Sequence, residues 1–576
     1  MPNTDMSRPR PRLRLRHRTR PPGPGRLLPL AAVTVTAWVI GCSTAAPVPA
    51  QTTTSQAAPP PAAVDSQAQG TPPSLVLVIT VDQLRPDYLE RWNGQLVGGF
   101  RLLLDEGAFF SRAAQDHGIT ETAPGHSTIL SGRLPYSTGI THNSEGVNTA
   151  EFPLVNAGGD GASPERFNGT TLVDWLVASD PESRILSVSR KDRGAILPVG
   201  RARHTVLWYS AESGVFTTSS YYADTLPSWV VEFNSEDRPV ARYAGRVWDL
   251  LLPEANYPEP DSVPAESGGR DFTFPHELPY EPEYARQVII GHPWMDELTL
   301  DLAWRGVRAM ELGAGGRTDV LAVSLSTMDA VGHRFGPDSR ELHDHVLRLD
   351  RMLGSFLDSL FALRGRERVV IALTSDHGVA PIAEVVSTWG DNTGAERISL
   401  DGLVDVFEAI RPQVQRSGVP PDAFTFGWPT LDVDRSRAAG RERQVLQIAR
   451  TFAREAAKLP GIRRVDVIDD LARADTTTDY VARRWLHMYR PGGDPIAALT
   501  LEPYFYLEGS NIAAHGTPHD YDALVPLLFW GRQFRAMHDS GPARVVDLAP
   551  TLAHLLGLVP AERLDGVVLE RAFADR

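Results

Sequence analysis

The chain has 576 residues, of which 42% are apolar and 22% are charged, and it contains 48 Gly and 46 Pro. It is too long for one ordinary core and too apolar for disorder, which indicates a large domain with insertions or a few separate units. Its single cysteine, Cys42, excludes a disulfide framework, Cys-based zinc or iron–sulfur sites and a Cys nucleophile in the body of the protein. Any metal must therefore be held by histidine and carboxylate. The net charge of −14 argues against non-specific binding of nucleic acid.

Residues 1–41 have the pattern of a lipoprotein signal peptide. A basic stretch rich in arginine precedes an apolar run from Leu27 to Ile40, which is too short to span a membrane comfortably. Cys42 follows this run at the position where a bacterial lipobox is cleaved and lipidated. We therefore expect a periplasmic protein that contacts a membrane only through a lipid on Cys42. Ser43, next along the chain, is typical of sorting to the outer membrane.

Residues 42–72 are rich in Pro, Ala, Thr, Ser and Gln and are expected to form a flexible tether. The folded part, residues 73–576, begins with a continuous apolar run that predicts a strand buried on both faces. Four such runs occur, at 75–81, 320–326, 369–374 and 525–529. Helical patterns lie between them, for example at 100–106, 300–312 and 342–360. This alternation predicts an α/β fold with a mostly parallel central sheet and helices on both faces.

Two segments interrupt the alternation, at about 201–293 and about 380–510. The first is rich in Trp, Tyr and Pro. We expect both to be insertions that cap an edge of the sheet.

Acidic and imidazole side chains follow the predicted strands, where the carboxyl ends of parallel strands form ligand sites. Three Asp and three His are enough for two metal sites: Asp82, Asp329, His333, Asp376, His377 and His515. Asp329 and His333 have the i, i+4 spacing that places both on one face of a helical turn. Each residue alone also has a simpler interpretation, since Asp after a strand is commonly a cap and His commonly a surface or core residue.

Thr122 precedes Pro124, a residue suited to the first turn of a helix. This predicts Thr122 at or just before a helix N-cap, where free N–H groups favour an anion. A threonine hydroxyl is a weak nucleophile that needs a base or a metal to activate it. Thr122 is thus either a simple cap or a nucleophile beside a metal pair.

Lysine is rare in this chain, which has 55 Arg but only Lys191 and Lys458. Lys191 lies two residues before Arg193 in a segment that we expect to be extended. An ammonium and a guanidinium projecting the same way could clamp an oxyanion, and they are not interchangeable there. A solvated basic loop is the alternative.

The motifs together resemble the alkaline phosphatase superfamily, specifically its phosphate-irrepressible, threonine-nucleophile bacterial branch. The resemblance covers nearly all of the chain after residue 73. Its blocks are VDQLRPDYL (81–89), TAPGHSTILSGRLPYSTGITHN (122–143), RKDRGAILPVG (190–200), an aromatic stretch (208–234), STMDAVGHRFGP (326–337), TSDHG (374–378), AAHGTPHDYDALVPLLFWG (513–531) and DLAPTLAHLLGL (547–558).

The resemblance implies two Zn²⁺. One would be held by Asp82, Asp376 and His377 with Thr122 as an exchangeable ligand, and the other by Asp329, His333 and His515. Asn143, Lys191 and Arg193 would contact the phosphoryl oxygens. His519, four residues after His515, is the alternative residue for that ligand position.

The resemblance further implies hydrolysis of small phosphate monoesters through a phosphothreonine intermediate, by a chain that we expect to be a monomer. Two alternatives remain open. One is a nucleotide pyrophosphatase/phosphodiesterase-like enzyme of the same fold, against which the Lys191–Arg193 pair argues. The other is a catalytically inactive lipoprotein that only binds phosphorylated ligands.

Overall fold

The computed structural model describes residues 13–14, 72–236, 239–390 and 394–574. The expected signal peptide and tether therefore lie almost wholly outside the described residues. Among the described residues, no helix combines the length and the apolar character needed to cross a membrane.

The strands are β1 Leu13–Arg14, β2 Leu75–Val81, β3 Ala108–Ala114, β4 Ile185–Ser189, β5 Thr205–Ser210, β6 Val215–Thr217, β7 Val247–Trp248, β8 His276–Glu277, β9 Asp319–Leu325, β10 Val369–Thr374, β11 Arg397–Ile398, β12 Phe424–Gly427, β13 Thr430–Val433, β14 Ile462–Val467, β15 Pro495–Leu501, β16 Tyr506–Leu507, β17 Leu524–Trp530, β18 Met537–Asp539 and β19 Ala543–Arg544.

The α-helices are α1 Pro86–Arg91, α2 Gly99–Glu106, α3 Thr122–Ile129, α4 Pro135–Thr138, α5 Leu172–Ser179, α6 Asp192–Ile196, α7 Ser228–Glu236, α8 Pro282–Val288, α9 Trp294–Ala309, α10 Thr327–Phe335, α11 Arg340–Arg364, α12 Ala383–Val386, α13 Asp401–Ser417, α14 Glu442–Ala456, α15 Ile468–Leu471, α16 Tyr480–Met488, α17 Asp520–Ala523 and α18 Leu548–Leu556.

The central sheet has the strand order β18-β3-β17-β10-β2-β9-β4-β5-β6, and β19 also pairs with β3. The pairs from β10 through β2, β9 and β4 to β5 are all parallel. β17 runs antiparallel to both of its neighbours, and β6 runs antiparallel to β5. The predicted α/β fold with a mostly parallel sheet is therefore confirmed.

Helices cover both faces of this sheet. Alternate residues of β2 therefore belong to two different apolar cores. Leu75, Leu77 and Ile79 belong to a core formed with α9 and α11, whereas Val76 and Val78 belong to a separate core formed with α5 and α18. Side chains in a strand alternate between its two faces, so a strand with helices on both sides is apolar throughout. This is the pattern that made the strand visible in the sequence.

The four predicted strands are confirmed to within a residue at their ends. The predicted helix at 300–312 begins earlier, at Trp294, and ends at Ala309. Asp296 and Glu297 in its first turn fit the positive end of the helix dipole, and Pro293 directly precedes it. The helix therefore starts where the first expected insertion ends.

The segment expected as the first insertion, about 201–293, divides into two parts. β5 and β6 belong to the central sheet, so the sheet continues beyond residue 201. Of the remainder, β7 and β8 pair only with each other. Trp248 in β7 is buried and donates through Nε1 to Asp344 Oδ2 of α11, 2.7 Å away, which holds this part against the core.

The segment at about 380–510 contributes four strands to a second sheet, in the order β1-β12-β13-β15-β14, in which β1 (Leu13–Arg14) comes from outside the segment, and α13 and α14 lie in the same apolar core. We call residues 380–510 the cap. It contacts the loop before α3 and the loop after α4. His487 Nδ1 donates to the carbonyl oxygen of Asp116 at 2.7 Å, and Tyr489 Oη lies 3.0 Å from His142 Nε2.

Candidate metal centre and nucleophile

Three neighbouring parallel strands bring the acidic residues together. Asp82 directly follows β2, Asp376 and His377 follow β10, and Asp329 lies in α10 after β9. Because β10, β2 and β9 are adjacent and parallel, these side chains meet at one edge of the sheet. Helix α3 approaches so closely that a Cβ at Gly125 would lie 2.2 Å from the carbonyl oxygen of Asp376, so only glycine fits there.

The first ligand group is Asp82, Asp376 and His377, whose ligand atoms all lie within 4.8 Å of one another. All three residues are completely buried. His377 Nδ1 donates to the carbonyl oxygen of Gly378 at 2.9 Å. This bond fixes the tautomer, so that the Nε2 lone pair points toward Asp82 Oδ1, 3.4 Å away.

The second ligand group is Asp329, His333 and His515, whose ligand atoms also lie within 4.8 Å of one another. Nε2 of His333 and of His515 lie 3.2 Å and 3.7 Å from Asp329 Oδ1. Both imidazoles donate from Nδ1 to backbone carbonyls, of Ala513 and Thr120, each at 2.7 Å. His519 is placed elsewhere, since its Nε2 lies 2.9 Å from the carbonyl oxygen of Leu501.

The two groups are adjacent, because the rings of His377 and His515 stack with centroids 3.6 Å apart. Asp82 Oδ1 is buried without a hydrogen-bond partner among the described residues, whereas Asp82 Oδ2 faces the Lys191 ammonium at 2.6 Å and Asp376 Oδ2 faces His126 Nδ1 at 3.1 Å. A buried carboxylate without hydrogen bonds is costly unless a cation balances it. The residues present therefore fit two divalent cations, one in each group.

The pKa values of two of the three ligand imidazoles agree with a ligand role, whereas the Asp329 carboxylate raises the pKa of the third, His333. Burial lowers the pKa of His377 to about 4. Burial, together with the neighbouring His377 and His333, lowers the pKa of His515 well below its usual range. Both rings are therefore neutral near pH 7, which is the form that binds a metal. Burial beside the carboxylates of Asp329 and Asp376 raises the pKa of Asp82, an effect that a bound cation would reverse.

Thr122 is the first residue of α3, and Glu121 occupies the N-cap position. The sequence predicted Thr122 at or just before the N-cap, and in the structure it lies one residue after the N-cap. Its hydroxyl still lies at the positive end of the helix. Thr122 Oγ1 accepts from Lys191 Nζ at 3.2 Å and lies 3.4 Å from His377 Nε2. Asn143 Oδ1 accepts from the backbone N–H of Ala123 at 2.8 Å, which places the Asn143 amide beside Thr122.

The expectation of an extended segment at Lys191 and Arg193 was wrong. Lys191 is the N-cap residue of α6, and Arg193 lies within that helix. The helix separates the two side chains: Lys191 Nζ lies 2.6 Å from Asp82 Oδ2 and 2.7 Å from Asp329 Oδ2, whereas Arg193 Nη1 lies 3.5 Å from Asp192 Oδ1. Lys191 therefore lies between the two ligand groups, and Arg193 is paired with its neighbour.

Sequence reasoning missed two residues of the site. Gln83 donates to a carboxylate of each ligand group. His126 Nδ1 lies 2.9 Å from the carbonyl oxygen of Thr122 and 3.1 Å from Asp376 Oδ2. The only signal in the sequence is that each stands close to a residue that was identified, Gln83 beside Asp82 and His126 four residues after Thr122.

Comparison with known proteins places these features in a family. The family of type I phosphodiesterases and nucleotide pyrophosphatases matches residues 76–424. The chain is 29% identical to alkaline phosphatase PafA of Elizabethkingia meningoseptica over 84% of this chain and 91% of that protein. It is 30% identical to alkaline phosphatase PhoK of a Sphingomonas species over 87% of this chain and 91% of that protein.

The crystal structure of wild-type PafA superimposes with a TM-score of 0.77 at 27% identity, covering 87% of this chain and 99% of that one. These relatives support hydrolysis of phosphate esters as the activity of this chain. The chain therefore belongs to the type I phosphodiesterase/nucleotide pyrophosphatase family and, within the alkaline phosphatase superfamily, to the PafA-like branch.

Proposed function

We propose that this protein is a two-zinc phosphomonoesterase that works through a phosphothreonine intermediate on Thr122. One observation carries the proposal: the Thr122 hydroxyl contacts both His377, from the first ligand group, and Lys191, which contacts an aspartate of each group. The hydroxyl is thus held where two cations and an ammonium would surround a phosphoryl group.

Asp82, Asp376 and His377 would hold one zinc, and Asp329, His333 and His515 the other. When bound, the zinc pair would lower the pKa of the threonine hydroxyl and of water and neutralise charge on the attacking and leaving oxygens. Lys191 and Asn143 would contact oxygens of the transferred group, and Lys191 also holds Thr122 Oγ1 in place.

The chemistry consists of two displacements at phosphorus. In the first, Thr122 Oγ1 forms a bond to phosphorus as the ester P–O bond breaks, and the alcohol leaves with a proton. In the second, the oxygen of a water molecule forms a bond to phosphorus as the bond to Thr122 Oγ1 breaks, which releases inorganic phosphate and restores the hydroxyl. Two in-line inversions give net retention at phosphorus, which chiral phosphate esters would test.

Preference for monoesters follows from charge. The Lys191 ammonium would stabilise a dianionic monoester more than a monoanionic diester. The family also includes phosphodiesterases, and the pairing of Arg193 with Asp192 favours a diesterase as the second candidate. Rates on a monoester, a diester and a sulfate ester, measured with the zinc-loaded protein, separate these activities. No turnover of any of the three would favour a lipoprotein that only binds phosphorylated ligands.

We further propose that the protein is a periplasmic lipoprotein, anchored through Cys42 to the outer membrane, that acts as a monomer on small-molecule monoesters and not on nucleic acid. The basic and apolar pattern before Cys42 supports this location. Fractionation of the cell envelope, with Cys42→Ser as the unanchored control, tests it.

A further inference from the structure

Gln83 contacts one carboxylate in each ligand group. Its backbone N–H donates to Asp376 Oδ1 at 3.2 Å, and its side-chain Nε2 donates to Asp329 Oδ1 at 3.1 Å. The residue is completely buried and has a φ of 70°, in the left-handed region that side chains other than glycine rarely adopt. This backbone conformation allows the main chain and the side chain of one residue to reach different ligand groups.

The orientation of the Gln83 amide follows from its partner. An ionised carboxylate only accepts hydrogen bonds, so the atom facing Asp329 must be the NH₂ group. The amide oxygen, Oε1, is buried without a hydrogen-bond partner among the described residues. It points toward Gly332, where a Cβ would lie 1.8 Å from it. Gly332 lies between the ligands Asp329 and His333 in α10, so a glycine in that helix makes room for Gln83.

We propose that Gln83 is a positioning residue that fixes the Asp329 carboxylate and thereby sets the zinc affinity of the second ligand group. The inference rests on the proposed zinc function and extends it. Lys191 Nζ already holds Asp329 Oδ2 at 2.7 Å, so the Gln83 amide on Oδ1 leaves the carboxylate no freedom to rotate. Partners that hold a ligand in this way commonly contribute ten- to hundredfold to metal affinity.

Gln83→Met tests the proposal, because methionine has a similar length, removes the donor to Asp329 and keeps the backbone N–H to Asp376. We expect zinc affinity to fall by about ten- to hundredfold at the second ligand group and by less than about threefold at the first. Competition between the protein and a chromophoric chelator for Zn²⁺ measures both. The His377→Ala background isolates the second group, and the His333→Ala background isolates the first.

Two further variants separate positioning from folding. Gly332→Ala favours the helix but displaces Gln83, so we expect the same selective loss at the second group. Gln115 is a matched buried glutamine whose Nε2 donates to the carbonyl oxygens of Ser375 at 3.0 Å and Gly125 at 3.4 Å, and no hydrogen bond among the described residues joins its side chain to a ligand side chain. We expect Gln115→Met to lower the melting temperature and to leave both affinities within about threefold of wild type.

An equal loss of affinity at both groups in Gln83→Met, or no loss at either, would overturn the inference alone. A wild-type protein that binds no Zn²⁺ would overturn the two-zinc function and this inference with it.

Discussion

The Lys191 ammonium lies 2.7 Å from Asp329 Oδ2, and both side chains are buried. The same nitrogen is 2.6 Å from Asp82 Oδ2 and donates to the Thr122 hydroxyl. One cation thus links the two ligand groups and the Thr122 hydroxyl. A compact ammonium fits among three oxygens, whereas the planar guanidinium of arginine would direct its donors differently.

Lys191→Met and Lys191→Arg are therefore both expected to lower kcat/KM for a phosphate monoester. A charge-assisted contact in a partly desolvated site contributes about 1.5–3 kcal/mol, which corresponds to a loss of about one to two decades. The loss for a matched diester should be smaller, because a monoanion gains less from the ammonium. Equal losses on both substrates would show that Lys191 acts only through the structure of the site.

Arg193→Ala tests whether Arg193 contributes to activity as Lys191 does. Because Arg193 is paired with Asp192 and Lys191 with the ligand aspartates, we expect Arg193→Ala to cost less than Lys191→Met in kcat/KM for the monoester. An equal or larger loss would show that Arg193 leaves Asp192 when substrate binds.

Thr122→Ala should lower kcat/KM by several orders of magnitude while both zinc affinities stay near wild type, because it removes the proposed nucleophile and leaves the six candidate ligands in place. Thr122→Ser, which keeps the hydroxyl, is the matched control and should retain most of the activity. Acid quenching of wild type during turnover, followed by mass spectrometry, should find a phosphate on the peptide that contains Thr122. Near-normal turnover by Thr122→Ala would remove this residue from the mechanism.

His515 and His519 form a natural pair for testing the metal sites. We expect His515→Ala to lose one of two bound zinc ions and most activity, and His519→Ala to keep both ions, since His519 faces the Leu501 carbonyl instead. Metal content by elemental analysis after dialysis measures this directly. Chelation should abolish activity in wild type, and Zn²⁺ should restore it. The same metal content in both variants would contradict the assignment.

The buried carboxyl of Glu266 is expected to make the free energy of unfolding depend on pH. Burial, with the nearby charges of Glu341 and Asp261, raises the pKa of Glu266 from 4.5 to about 9. Between these values the folded protein keeps a proton that the unfolded chain has lost, so this residue makes the protein less stable as pH rises. The slope is at most about 1.4 kcal/mol per pH unit, and the penalty is complete above the folded-state pKa.

Glu266→Gln should remove this penalty. The free energy of unfolding of the variant should match wild type below pH 4.5 and exceed it by a growing margin up to about pH 9. Urea unfolding across this range measures the difference. A difference that does not change with pH would show that Glu266 is ionised in the folded protein.

The parts of the fold that the sequence predicted are those with a periodic apolar signal. The strand at Leu75–Val81 was visible because both of its faces are buried, and the spacing of Asp329 and His333 was visible because α10 repeats every 3.6 residues. The segment at Lys191 was misread because α6 has only five residues, too few for an apolar period to show.

Other features depend on contacts between residues far apart in the chain. Gln83 and Gly332 lie far apart in the chain, yet Gln83 Oε1 occupies the space that a Cβ at residue 332 would need. Likewise, no pattern in the sequence indicates that the cap contacts the loops before α3 and after α4 through His487 and Tyr489. Such relationships arise only when the sheet has assembled.

The position of β17 in the sheet has a consequence for biosynthesis. β3 is joined to β10 only through β17, which is made long after both of them. Five of the six ligand residues precede the cap, whereas His515 follows it, just before β17. The first ligand group can therefore form on a nascent chain that still lacks the second. We expect folding to be slow and limited by the docking of this late strand, because both of its partners, β10 and β3, lie far upstream in the chain.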